Sequence, residues 1–309
     1  MNNLITKFQN SYQSFFTTKD IIILALSGGS DSIFLGEMLF QSGFKNIIAA
    51  HFHHNLRGQE ADDDEKFCYN ICQKWNFEFI SEKWQKPQKS EEKCRRARYQ
   101  FLEKILKIKH AQGIFLAHHK DDQVETIFFN FLRGTGVKGL RGMKKWDKNR
   151  KFFRPLLEFK KNEIINFLQK NKLIFKVEST NLENKYARNF LRNKIFPILE
   201  EKFPYFKTSV QRSSLLFAEL DQFLKQEAQR WIKENKILKN GFALKKFFIL
   251  ETFLQKEIIR IIFSPFSLDF LQINEIINFL KNSKSGKKIE LRGKIIKVFA
   301  DNFFIENNA

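Results

Sequence analysis

The sequence has 309 residues, of which 43% are hydrophobic, so it is long enough for about two folded domains and too apolar for global disorder. Lys and Arg outnumber Asp and Glu by 54 to 34, and the formal net charge of +20 favours a polyanionic partner such as nucleic acid. Three cysteines without a CxxC pair argue against a disulfide framework and a zinc or iron–sulfur site, and the absence of a signal peptide or apolar membrane span predicts a cytoplasmic protein with no membrane partner.

The first half of the chain alternates apolar runs with helical patterns. The runs that suit buried strands are residues 21–26, 46–51, 77–80 and 113–117, and the helical patterns cover 33–40, 61–75, 91–109 and 121–132. Strands that alternate with helices predict an α/β fold with a doubly wound parallel sheet of the Rossmann-like type. Ligands of such folds bind at the carboxyl ends of the strands. Three polar clusters follow predicted strands there, at residues 27–32, 51–57 and 118–122.

The second half has a different pattern. Residues 143–154 are polar and basic and are predicted to form a mobile loop. Helices are predicted over 162–169, 189–201 and 207–235, with strands over 288–291 and 295–305. The apolar stripe on the helix at 207–235 is expected to face a core. We predict a catalytic domain over 1–205, a helical linker, and a small mixed α+β domain over 206–309 that binds RNA.

The turn over residues 27–32 is predicted to hold the phosphates of ATP. It reads Ser27-Gly28-Gly29-Ser30-Asp31-Ser32 and lies between a buried strand and a helix. Glycines let the backbone approach an anion, and the start of the helix and the serine hydroxyls supply donors. An ordinary capped turn is the alternative. The pattern is not a Walker P-loop, because GxxxxGK[ST] is absent, and the GxGxxG at 134–139 follows a helix rather than a strand, which argues against a dinucleotide site.

Asp31 lies where a carboxylate would repel a phosphate. Its presence therefore predicts a cation between the two, and Mg²⁺ is the cation that commonly accompanies ATP phosphates. A helix-capping role for this carboxylate is the alternative.

The segment His118-His119-Lys120-Asp121-Asp122 ends a predicted strand and opens a helix. Asp121 and Glu125 are four residues apart and Asp122 is offset by one, and one of these three carboxylates is expected to share the metal or to act as a base. Stabilisation of the helix dipole is the alternative role, and a metallohydrolase is an alternative activity. Arg95 and Arg98 share one helix face and suit phosphate contacts, although a solvated basic face would look the same.

These motifs together resemble the PP-loop, or N-type, ATP pyrophosphatases, and within them the tRNA(Ile)-lysidine synthetase family. Beyond the loop at 27–32, the resemblance rests on ordered segments at 54–57, 95–99, 117–126, 133–140, 154–157 and 181–192. It covers roughly residues 21–200. The family motif expected near residue 178 is of the Asp-x-Ser-Asn kind, but this chain has Glu178-Ser179-Thr180-Asn181 there. The role of Glu178 is therefore open.

The resemblance implies a two-step ligation that uses ATP, Mg²⁺, free L-lysine and the isoleucine tRNA with a CAU anticodon. ATP, cleaved between its α and β phosphates, adenylates C2 of the wobble cytidine, and lysine then displaces AMP to give lysidine. Asp31, Asp121, Asp122, His118 and Arg98 are the implied catalytic residues. The implied nucleotide contacts are residues 27–32, His54 and Arg95, the implied metal ligands are Asp31 and Asp122, and the implied RNA contacts are Arg188, Asn189, Arg192 and Arg154.

Two other functions remain open at this stage, and so does a homodimer. Another PP-loop enzyme, such as a tRNA thiolase or an amide-forming synthetase, would share the loop, although an iron–sulfur thiolase needs cysteines that this chain lacks. A non-catalytic RNA-binding protein would share the positive charge, but it would have no use for Asp31, Asp121 and Asp122.

Overall fold

A computed structural model describes residues 2–176, 187–237, 241–264, 266 and 268–307. The contacts divide the chain into two units, Met1–Ser214 and Leu215–Ala309. The predicted functional domains 1–205 and 206–309 stay a prediction. Glu178, Asn181 and Tyr186, which contribute to the family resemblance, lie outside the described residues.

The helices and strands of the first unit follow each other in an alternating order. They are α1 (Asn2–Tyr12), β1 (Ile22–Ala25), α2 (Ser30–Gln41), β2 (Ile47–His53), α3 (Gln59–Trp75), β3 (Glu78–Lys83), α4 (Glu91–Ile108), β4 (Gly113–Phe115), α5 (Lys120–Leu132), α6 (Val137–Leu140), β5 (Trp146–Asp147), β6 (Phe152–Phe153), α7 (Lys161–Lys170), α8 (Ala187–Phe190), a π-helical stretch (Leu191–Ile195) and α9 (Phe196–Lys202). Helix α10 (Phe206–Asn235) contains the boundary between the units.

The first unit is built on a six-stranded sheet in the order β3-β2-β1-β4-β6-β5. All neighbouring strands are parallel except β5, which pairs antiparallel with β6. The predicted doubly wound α/β sheet is thereby confirmed. Since β1, β2 and β4 are adjacent and parallel, the residues that follow them meet at one edge.

The central strand is apolar along its whole length because both of its faces are buried. Ile22 and Leu24 join Phe34 of α2 in one core cluster. Ile23, which points the opposite way, packs with Ile105 of α4 in another. A strand covered by helices on both faces therefore shows a continuous apolar run instead of an alternation.

The prediction of a mobile loop over 143–154 was wrong. Phe152 and Phe153 form β6, are 1% and 0% exposed, and continue the main sheet beside β4. Each phenylalanine lies in a different core cluster, so this two-residue strand is buried on both faces. It is too short to produce a recognisable periodic pattern within a polar sequence.

The second unit holds a separate antiparallel sheet with the order β7-β10-β9-β8. Its elements are β7 (Gly241–Ala243), α11 (Leu244–Phe248), α12 (Thr252–Ile262), α13 (Phe270–Asn282), β8 (Lys288–Leu291), β9 (Lys294–Phe299) and β10 (Asn302–Asn307). The single strand predicted over 295–305 is in fact two strands joined by a tight turn. Ala300 in that turn has a positive φ of 51°.

The middle of the apolar stripe of α10 is exposed, which corrects the prediction that the whole stripe faces a core. The exposed fractions are 65% for Leu215, 65% for Leu216, 41% for Leu220 and 57% for Phe223. The ends of the helix do pack inward. Val210 packs against the core cluster of Val124, and Ala228 and Trp231 pack into the core of the second unit. Helical periodicity shows that a helix is amphipathic, but it does not show what covers the apolar face.

Candidate active site

A cavity of about 970 Å³ lies at the carboxyl ends of β1, β2 and β4. Residues from all three predicted polar clusters line it, including Ser30 after β1, His54 after β2 and His119 after β4. The three clusters meet at one edge of the sheet, as the sequence indicates, and the use of this cavity as the binding site stays a prediction.

The loop between β1 and α2 has the geometry of an anion cradle. Gly28 has a φ of +87°, and a Cβ there would lie 3.2 Å from Cys68 Sγ, so the turn requires glycine. The Ser32 hydroxyl donates to the Gly29 carbonyl at 2.9 Å, which braces the turn from inside. The first-turn N–H groups of α2 have no carbonyl acceptor within the helix and can face a phosphate.

Asp31 is paired with a lysine that the sequence analysis did not identify. Lys161 Nζ lies 2.6 Å and 2.8 Å from the two carboxylate oxygens of Asp31 and 2.8 Å from Ser30 Oγ. Burial by itself would raise the pKa of Asp31, but its hydrogen bond to His119 and the charges of His119 and Lys161 lower it. The carboxylate is therefore ionised and is available to a cation.

His119 lies between three carboxylates. Its Nε2 is 3.6 Å from Asp31 Oδ2 and 3.4 Å from Asp122 Oδ2, and its Nδ1 accepts the Asp121 N–H at 3.2 Å. Burial disfavours its protonation, but the hydrogen bond to Asp31 and the charges of Asp122 and Asp31 raise its pKa above the ordinary value. His118, and not His119, is the histidine that was predicted to be catalytic.

His118 faces the opposite electrostatic environment. Burial, Arg154 and Arg98 together lower its pKa well below the ordinary histidine value. Its Nδ1 is buried without a hydrogen-bond partner in the described residues. His118 is therefore a neutral imidazole that can exchange hydrogen bonds with a bound ligand.

The carboxylates at the start of α5 are held by cations from distant elements. Asp121 accepts a hydrogen bond from Lys207 Nζ at 2.8 Å and one from the Lys161 N–H at 3.0 Å. The Arg192 guanidinium binds Glu125 at 2.6 Å and 2.7 Å, and it contacts Asp122 at 3.3 Å. The Glu125 carboxylate is 7% exposed, and burial raises its pKa despite the hydrogen bond from Arg192.

Basic residues of α4 lie near the other side of the cavity. Arg95 and Arg98 lie over the Tyr99 ring at 5.4 Å and 5.6 Å, and Arg98 also lines the cavity. Burial, followed by the charge of Arg98, lowers the pKa of His54 to about 4. Like His118, His54 has a buried Nδ1 without a hydrogen-bond partner among the residues that are described.

The four residues predicted to contact RNA have different surroundings. Arg154 is 8% exposed and donates to the Lys144 carbonyl at 2.8 Å, so it lies inside the fold rather than on its surface. Arg192 binds the α5 carboxylates, whereas Arg188 lies 5.5 Å above the Phe129 ring. Asn189 is the half-buried neighbour of Arg188.

The residues predicted to bind Mg²⁺ suit that ion chemically. Carboxylate oxygens of Asp31 and Asp122 approach the same imidazole nitrogen from two different elements, and such oxygens are the ligands that Mg²⁺ prefers. A second group, His53, Asp62 and Glu65, has ligand atoms within 4.8 Å of one another. In that group Asp62 is already paired with the ammonium of Lys83 at 2.9 Å.

Comparisons with known proteins place this chain in a family. The PP-loop domain family matches residues 1–199. A tRNA(Ile)-lysidine synthase of Chlorobaculum tepidum is 33% identical over 249 residues, which cover 75% of this chain and 74% of that protein. The chain belongs to the tRNA(Ile)-lysidine synthase family of PP-loop proteins.

Other members of the tRNA(Ile)-lysidine synthase family are longer than this chain. The synthase of Bacteroides thetaiotaomicron is 38% identical over 206 residues, which cover 64% of this chain and 48% of that protein. This PP-loop chain spans about half the length of such relatives. The U34-tRNA thiolase NcsA of Methanococcus maripaludis has a similar fold, with a TM-score of 0.60 at 16% identity over 71% of this chain and 78% of that one.

No helix among the described residues is long and apolar enough to cross a membrane. The cytoplasmic location and the homodimer stay predictions for this PP-loop protein. The exposed middle of the α10 stripe gives the second unit an apolar surface.

Proposed function

We propose that this PP-loop protein uses ATP to ligate free L-lysine to C2 of the wobble cytidine in the CAU-anticodon isoleucine tRNA. The products would be lysidine, AMP and pyrophosphate. The observation that supports this activity best is the separation of charge within one cavity. The phosphate loop lies beside a group of carboxylates, while neutral imidazoles and arginines lie towards α4.

In the first step the cytidine O2 attacks the α phosphate of ATP, and pyrophosphate leaves. The N–H groups at the start of α2 and the hydroxyls of Ser27 and Ser30 would hold the phosphates and stabilise the charge that develops on them. Mg²⁺ bound by Asp31 and Asp122 would neutralise the leaving pyrophosphate. Arg98 lines the same cavity and would contact the activated nucleotide.

In the second step the ε-amine of lysine attacks C2, and AMP leaves with the C2 oxygen. The substrate ammonium must first lose a proton, because the protonated form has no lone pair. At the start of α5, Asp121 is paired with Lys207 and Asp122 with Arg192, so these carboxylates already hold cationic groups, and either would anchor the ammonium and accept its proton. Neutral His118 would hydrogen-bond the base or the ribose through its unpartnered Nδ1.

The RNA partner is supported by the charge and by the nature of the target. The chain has a net charge of +20, and an anticodon loop is single-stranded, so its bases can enter a cavity without opening a duplex. Arg188 is the most plausible phosphate contact of the four predicted residues, since Arg154 is buried and Arg192 holds carboxylates. Whether Asn189 also touches RNA stays a prediction.

A thiolase that uses an iron–sulfur cluster is the less supported alternative. Cys68 and Cys72 lie on α3 and are buried, while Cys94 is half-buried on α4. Burial raises the pKa of the Cys72 thiol to about 12 and also raises the pKa of the Cys68 thiol. Cluster ligands are thiolates, so these two residues do not have the required character.

The decisive experiment incubates the protein with labelled lysine, ATP, Mg²⁺ and bulk tRNA. We expect the label to enter tRNA together with one AMP per lysine. Asp31→Asn should abolish both signals while tRNA binding persists, because the loop loses the charge that holds its cation. Asp63→Asn, an exposed change on α3, is the matched control.

Two outcomes would contradict the proposal. Sulfur incorporation or ATP turnover without labelled tRNA would indicate another PP-loop reaction. Full activity of the Asp31→Asn protein would remove the metal role from Asp31.

A further inference from the structure

The phosphate loop contains no cationic side chain of its own. Its six residues are serines, glycines and Asp31, so within the loop the only full charge is negative. A Walker loop, by contrast, carries a lysine that reaches the β and γ phosphates. Any protein cation that balances the phosphate charge of ATP beside Mg²⁺ must therefore come from another element.

Lys161 supplies an ammonium to this loop from the start of α7. Its Nζ contacts both carboxylate oxygens of Asp31 and the hydroxyl of Ser30, which is the first residue of α2. The residue is anchored at its backbone, because its N–H donates to Asp121 at 3.0 Å. The side chain itself is 37% exposed and lines the cavity, so its ammonium can move while its backbone stays in place.

Among the described residues, Lys176 is a second lysine close to the loop, and its geometry is less suitable. Its backbone N–H donates to the Gly28 carbonyl at 2.9 Å. Its Nζ lies 5.8 Å above the ring of Phe67 on α3, so the ammonium is directed towards an aromatic face. Of these two lysines, Lys161 is the one whose ammonium contacts the Ser30 hydroxyl and the Asp31 carboxylate.

We propose that Lys161 is the phosphate-binding cation of this loop and exchanges partners when ATP binds. Without nucleotide it neutralises Asp31. When Mg²⁺ arrives with ATP, the metal takes the Asp31 carboxylate, and the ammonium moves to an oxygen of the β or γ phosphate. The two cations repel each other at one carboxylate, while the incoming phosphates attract the ammonium, so the exchange follows from charge.

This inference rests on the ATP use within the proposed function, but not on lysine transfer. It is tested by titration calorimetry of Lys161→Met with ATP and with AMP, both with Mg²⁺. We expect ATP affinity to fall about tenfold or more, because a charge-assisted hydrogen bond to phosphate is lost. AMP lacks the β and γ phosphates, so its affinity should change less than about twofold. Lys170→Met, an exposed change at the other end of α7, should leave both affinities unchanged.

A second measurement separates partner exchange from a purely structural role. Without nucleotide, Mg²⁺ alone should raise the melting temperature of Lys161→Met more than that of the unmodified protein, because Asp31 has lost its resident cation. Lys161→Arg keeps the charge and should retain most of the ATP affinity. Unchanged ATP affinity in Lys161→Met would overturn the proposal, and so would an equal loss for ATP and AMP.

These binding measurements also distinguish failure of the inference from failure of the proposed function. If labelled lysine does not enter tRNA but Lys161→Met selectively loses ATP affinity, the ligation is wrong and the role of Lys161 stands. If lysine is incorporated but ATP affinity is unaffected, the role of Lys161 is wrong and the ligation stands.

Discussion

At the scale of single residues, the site places two neighbouring histidines in opposite electrostatic environments. His119 faces Asp31 and Asp122, which raise its pKa, while burial and Arg154 lower the pKa of His118. Successive residues of an extended segment point to opposite sides, so one dipeptide can serve both sides of the cavity. The carboxylates therefore make His119 easier to protonate than an ordinary histidine, and His118 stays a neutral donor or acceptor.

His54 should make the protein sensitive to acid. Its pKa is about 4 in the folded protein, against 6.5 for an ordinary histidine. Between these values the unfolded chain binds a proton that the folded chain does not, so stability falls as the pH decreases from 6.5 to 4. The difference corresponds to about 3 kcal/mol at most.

Denaturant unfolding at several pH values tests this contribution. His54→Asn should flatten the loss of stability between pH 6.5 and 4, whereas His110→Asn, a change at an exposed histidine, should not. The same pH slope in His54→Asn and in the unmodified protein would show that His54 is not the source. The pKa of His118 is also below the ordinary histidine value, so part of the dependence of stability on pH should remain in the His54→Asn protein.

At the scale of elements, close packing between α2 and α3 fixes the helix that carries the phosphate loop. A Cβ on Gly36 would lie 2.5 Å from the Trp75 ring and 3.2 Å from Leu24. Trp75 cannot easily move, because it is 5% exposed and its Nε1 donates to Glu37 at 2.9 Å. The Trp75 indole therefore packs directly against the backbone of α2.

Gly36→Ala should destabilise the first unit although alanine is the better helix former. We expect the free energy of unfolding to fall by about 1–3 kcal/mol, the usual cost of overpacking a rigid core. Asn70→Ala, at an exposed position of α3, should change it by less than about 0.5 kcal/mol. A Gly36→Ala protein as stable as the unmodified one would show that Trp75 can shift.

At the scale of the whole molecule, the excess of 54 basic over 34 acidic residues should govern the approach of RNA. Several basic side chains that line the cavity are already paired with carboxylates of the protein itself. Lys161 neutralises Asp31, Lys207 neutralises Asp121, and Arg192 neutralises Glu125. The charge that attracts RNA must therefore come from other residues, and Arg188 is the predicted contact of this kind.

Arg188→Gln should weaken the binding of every tRNA by a similar factor. If this guanidinium contacts one phosphate, the slope of log affinity against log salt should become shallower by about one. Filter binding at several salt concentrations measures both quantities. Lys89→Gln, at an exposed position before α4, is the charge-matched control. An unchanged slope would remove Arg188 from the interface.

The amino-acid sequence by itself determined the parallel sheet and the edge at which its polar clusters meet, because these follow from local apolar runs and the turns between them. The order of the strands within the sheet came from the tertiary structure. Only the tertiary structure decided which charges meet. Lys161 and Asp31 are 130 residues apart, and Arg192 and Glu125 are 67 apart, so no local pattern links them. Ion pairs of this kind depend on where whole elements pack, and the same is true of the two-residue strand β6. The loop at 27–32 was therefore predictable from its own residues, but the cation that neutralises it was not.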